Sequence, residues 1–101
     1  MTKRERVIAA IQQKDLDGIP SGFSLHFPEE KKHGEACVKA HLDFFHDTDT
    51  DICKIMNENL IPVFGTIHTP DDYNRLIPRM TMEDGFMKDQ MALTKEILAR
   101  C

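Results

Sequence analysis

Four polar residues of this chain stand at or near the ends of two short, largely apolar runs: His26, Lys54, Asn57 and Glu58. His26 lies near the end of Gly22 to Phe27, on the small or polar face opposite Phe23, Leu25 and Phe27. A histidine there can hydrogen-bond a substrate or move a proton near neutral pH. Its structural alternative is a satisfied, half-buried ring. Asn57 and Glu58 follow the apolar run of Ile52, Cys53, Ile55 and Met56. A carboxylate at that place can bind a cation, orient a ligand or accept a proton; equally, it can cap the strand and hold the next loop. Lys54 lies inside the run, where an ammonium must pair or snorkel. Structural pairing is the better reading of it.

Two further groupings carry weaker chemistry. Asp47, Asp49, Asp51 and Glu58 match the first, third, fifth and twelfth positions of a calcium loop. However, Ile52 stands where that loop needs glycine, and Lys54 stands where an apolar residue belongs. His33, Cys37 and His41 are four apart and would share a helix face. Zinc needs a fourth ligand at a familiar spacing, and the chain offers none. The better reading is a surface stripe with one buried thiol.

The elements that would position these residues follow from periodicity. Thr2 and Glu5 have capping-box spacing and open a helix to Gln13 with Val7, Ile8 and Ile11 on one face. Lys14 to Gly18 is a polar break. Gly22 to Phe27 alternates as a strand does, and Pro28 stops it. Glu29 to His33 is a charged loop. A second helix runs from Gly34 to about His46, with Val38, Leu42 and Phe45 along a stripe. Asp47 to Asp51 is a polar turn into a second strand, which reaches Asn59. Residues 60 to 68 read as loop. Thr69, Pro70, Asp71 and Asp72 start a short helix that Pro78 ends. Thr81 with Asp84 opens a last helix through Leu98. Strand, helix and strand make one right-handed βαβ unit.

Several segments, taken in order, resemble the start of the uroporphyrinogen decarboxylase superfamily: T-K-R-E-R-V-I-A-A-I, D-G-I-P, H-L-D-F-F-H-D-T-D-T-D-I-C-K-I-M-N-E, T-P-D-D-Y-N-R-L and D-Q-M-A-L-T-K-E-I-L. The resemblance implies an α/β fold, with residues 1–101 forming the N-terminal βα units of a (β/α)8 TIM barrel: two parallel strands with their helices. It implies decarboxylase or corrinoid-dependent methyltransferase-like chemistry on a small-molecule substrate, completed by later parts of the barrel. The decarboxylases carry an arginine-rich segment after strand one. Here L-H-F-P stands there, which favours the methyltransferase-like branch. In that branch zinc and a corrinoid take part, through ligands beyond Cys101, so no cofactor is expected in this segment. The fragment alone is expected to be inactive.

Composition sets the remaining bounds. The formal net charge is −4 and no basic stripe is present, which argues against nucleic acid. No apolar run is long enough for a membrane span, and the opening residues are too charged for a signal peptide. Three widely spaced cysteines make no disulfide framework and fit a reducing cytosol. Two strands leave open edges, which invites homo-oligomerisation. The alternative to a barrel segment is a stand-alone α/β domain that works by binding or assembly.

Overall fold

A computed structural model describes residues 1–58 and 64–101. Among these residues it contains four α-helices and one 3-10 turn, Glu29–Lys31. The helices are α1 (Lys3–Ile11), α2 (Gly34–Thr48), α3 (Pro70–Leu76) and α4 (Gly85–Arg100). Among the described residues there is no strand. None of the helices is long and apolar enough to cross a membrane.

Local chemistry explains most of the helix ends. At α1, Thr2 N–H donates to Glu5 Oε2 at 2.7 Å, and Glu5 N–H donates back to Thr2 Oγ1 at 3.2 Å. The helix closes with Lys14 N–H on Ala9 O at 2.9 Å, across Gln13 at φ 55°. That left-handed residue ends α1 before the expected Gln13. Gly34 opens α2 at φ 62°, a conformation that suits glycine. Asp49, at φ 51°, closes it. Thr69 and Asp72 form a second capping box for α3, with Pro70 as its first residue. Thr81 and Asp84 form a turn ahead of α4 rather than its first turn, with Thr81 N–H on Asp84 Oδ2 at 2.6 Å.

The core lies on both sides of α2. Cys37 and Val38 pack against Leu93 and Ile97 of α4, with Leu42, Cys53 and Ile55 at the margin. Ala40 packs with Phe27 and Met56. Arg100 holds Glu35 across the helix pair at 2.7 and 3.0 Å. By contrast, α1 is fastened by charge. Its Arg6 bonds Asp17 and Asp51, while Ile11 is 77% exposed.

Among the described residues the two expected parallel strands, and with them the βα units of a TIM barrel, are absent. The segments 21–27 and 51–58 do run side by side in the same direction. Ser21 O accepts from Asp51 N–H and Ile52 N–H at 3.0 and 3.1 Å, Ser24 meets Lys54, and Phe27 meets Glu58. Side chains, however, take the places a ladder would use. The Asp51 carboxylate binds Ser21 N–H at 2.9 Å, and Glu58 Oε1 binds Phe27 N–H at 3.2 Å. Pro20 and Pro28 flank the first segment and bring no N–H. Two lone strands also gain too little to persist as a sheet. The described residues are therefore helical, with two extended connections, and present no sheet edge to pair. The expected end of the second strand at Asn59, and residues 60–63 of the loop after it, lie outside the described residues.

The radius of gyration is 17.9 Å and the extents are 53 × 31 × 23 Å. A compact domain of ~100 residues has a radius near 13 Å. Ile19 at 90% and Phe23 at 59% exposed belong to this open build.

Candidate functional site

Of the four candidate residues, the structure brings His26 and Glu58 together. Glu58 has a fully buried side chain, at 0% exposure, against 76% for His26. The imidazole Nδ1 lies 3.4 Å from the carboxylate. Successive side chains of an extended segment point to opposite sides, so His26 is exposed while Phe27 is buried in the core. The Phe27 N–H then clamps Glu58 from the other side. The pair is thus a buried carboxyl group beneath an exposed imidazole.

Lys54 and Asn57 are not part of this pair. Lys54 Nζ donates to Ser24 Oγ at 2.6 Å, so its partner is a hydroxyl rather than a carboxylate. Asn57 is exposed. The calcium arrangement is not formed. Asp47 lies in the last turn of α2, Asp51 is held by Arg6 and Ser21, and Glu58 is buried with Phe27.

Beneath the pair lies a layer whose role the sequence did not disclose. Cys37 and His41 are both buried, and His41 bonds at both nitrogens. Its Nδ1 reaches Cys37 O at 2.7 Å, and its Nε2 accepts from Met56 N–H at 2.8 Å. Gln90 of α4 donates to Met56 O at 3.2 Å. The Met56 peptide is therefore gripped on both sides, and Glu58 follows two residues later. The ring of His41 also meets Phe27 edge-on at 4.8 Å between centroids. The i, i+4 spacing of Cys37 and His41 did signal a shared face. The partner peptide, fifteen residues further on, carried no local signal.

Cys37 and His41 do not make a nucleophilic pair, although Sγ lies 3.7 Å from Nδ1. Burial, and then the charge of Glu58, push the Cys37 thiol above its ordinary value. Nor do these residues fit zinc. Among the described residues no three His, Cys, Asp or Glu side chains converge as a zinc centre requires. Both nitrogens of His41 are already committed.

Surface cavities lie elsewhere. One of about 360 Å³ lies between α2 and α4, lined by Val38, Ala92 and Leu93 with Glu35, Asp89 and Glu96 at its rim. The space beside Phe27, His41 and Met56 measures about 10 Å³, too little for a ligand. No protein-family model, curated protein or solved structure matches this chain.

Proposed function

We propose that the chain supplies a histidine–carboxylate pair, His26 and Glu58, to a small-molecule site whose remaining walls come from further polypeptide. The observation that carries this reading is the contrast in burial. A fully buried carboxylate faces a 76% exposed imidazole. A carboxylate on Nδ1 fixes the ring and leaves Nε2 for a ligand. Such a ring can donate a proton to a bound substrate or accept one from it. The resemblance to the uroporphyrinogen decarboxylase superfamily supports a substrate class: a polycarboxylated tetrapyrrole, or a methyl-carrying corrinoid in the methyltransferase-like branch. Decarboxylation ends with protonation of a carbon, and methyl transfer to a thiol begins with loss of a proton. Either step has use for the pair. The helical fold gives no support to a barrel around it.

The test is nuclear magnetic resonance of the His26 ring during titration with uroporphyrin and, separately, with cobalamin. Saturable movement of the His26 signals by one macrocycle, lost in Glu58→Gln, supports the reading. If neither macrocycle at millimolar concentration moves those signals, the reading fails.

A second reading, assembly without catalysis, rests on a different observation. Ile11, Ile19 and Phe23 are exposed on a chain much wider than a compact domain of its length. A second copy of the chain is the partner in that reading. Sedimentation that shows a monomer at every concentration would remove it.

A further inference from the structure

We propose that Cys53 and Cys101 form a reversible disulfide, a two-thiol site that ties the second extended segment to the end of α4. Cys101 closes α4, with its N–H on Ile97 O at 2.9 Å. One helical turn separates the two residues, which puts their side chains on one face. Ile97 is 1% exposed and belongs to the cluster with Cys37, Val38 and Leu93. Cys53 packs against that same cluster from the extended segment. Both thiols thus border the same cluster as neighbours, and both are free.

The three thiols differ in access. Cys101 is exposed, Cys53 is half-buried, and Cys37 is fully buried beside His41. A cavity of about 470 Å³ opens at Cys101, lined by Lys3, Leu42, Phe45, Asp49 and Arg100. It leaves the Cys101 sulfur open to an oxidant of the low-molecular-weight disulfide class, such as glutathione disulfide, which needs to bring only one sulfur to the thiolate.

The chemistry is thiol–disulfide exchange. Cys101 loses its proton to solvent, and its thiolate attacks one sulfur of glutathione disulfide. The glutathione S–S bond breaks, and one glutathione thiolate leaves. Cys53 then loses its proton and attacks the Cys101 sulfur, expelling the second glutathione thiolate. The protein is oxidised by two electrons and one glutathione disulfide is reduced to two thiols. Burial first, and then the neighbouring Cys101 thiol, push Cys53 up to about 11, so the second step is the slower one and quickens with rising pH. Release by excess reduced glutathione runs the same steps backwards. The pair is thus compatible with the reducing compartment that the cysteine usage suggests.

The experiment treats the full chain with glutathione disulfide, quenches with acid and maps peptides without reduction. The expected product is a monomer that has lost two hydrogens, with Cys53 joined to Cys101 and Cys37 free. Its melting temperature should rise by roughly 10 °C, because the bond closes a long loop. Dithiothreitol should reverse the shift. Cys53→Ser should stop at a glutathione adduct on Cys101, and Cys101→Ser should stay unmodified. A bond to Cys37, a disulfide between two copies, a lasting glutathione adduct on the unaltered chain, or no modification at all would each overturn the proposal.

Discussion

Met56 N–H donates to His41 Nε2 at 2.8 Å, and this one bond stands where a sheet ladder was expected. Because Nε2 accepts there, the proton of the neutral ring sits on Nδ1, which reaches Cys37 O at 2.7 Å. The helix α2 therefore holds the second extended segment through a side chain, and Gln90 of α4 completes the grip. The grip fixes the backbone just before the buried Glu58, and through Glu58 the orientation of His26, the group that reaches the surface.

His41→Ala should accordingly be costly. It leaves the buried Met56 N–H unpaired and opens a cavity beside Phe27, which together should cost about 3 kcal/mol. Urea unfolding measures this. Nitrogen-15 spectra of the unaltered chain should show the Nδ1–H tautomer. Finding the proton on Nε2 would contradict the described bond.

Acid should loosen the attachment of α1. Asp51 is held below the usual carboxylate range, first by Ser21 N–H and then by Arg6. A lowered folded value contributes stability that is fully present above the unfolded value of about 3.9 and is lost as pH falls through the folded one. Stability should therefore decline below about pH 4. Asp51→Asn should be less stable at pH 7 and show a flatter acid limb. Parallel limbs for the two proteins would remove Asp51 as a cause.

The capping boxes at Thr2 and Thr69 were legible because a cap and its partner are three residues apart. The stripe of α2 was legible for the same reason: helical neighbours are local. The strands failed because alternation reports only side-chain type. Phe23, Leu25 and Phe27 alternate well, yet only Phe27 is buried. Whether a backbone finds a ladder depends on distant groups, and here the carboxylates of Asp51 and Glu58 took up N–H groups of the facing segment. Glu58 was visible as the end of an apolar run, but its burial was not. The partnership of His41 with Met56 had no local sign.

Side chains on α4 should separate cleanly. Ile97 is 1% exposed in the cluster with Cys37, whereas its neighbour Leu98 is 68% exposed. Ile97→Ala should cost about 2–5 kcal/mol and Leu98→Ala within about 0.5 kcal/mol. Equal costs, measured by denaturant unfolding, would place the core on the other face of α4.

The alkaline limit of stability should belong to the thiols. Burial, and then Cys101, raise Cys53 to about 11, and burial also raises Cys37. A raised folded value contributes stability that is fully present below the unfolded thiol value of about 8.5 and is lost as pH rises through the folded one. Under reducing conditions the melting temperature should fall between about pH 8.5 and pH 11. Cys53→Ala should remove part of that slope and leave the part due to Cys37. Because Cys53 packs against the cluster of Cys37, Val38, Leu93 and Ile97, the variant should start from a lower melting temperature at pH 7. It is the slope, not the starting value, that reports the titration. An unchanged slope would mean that Cys53 is as well hydrated in the folded chain as in the unfolded one, and the described packing of its thiol would be wrong.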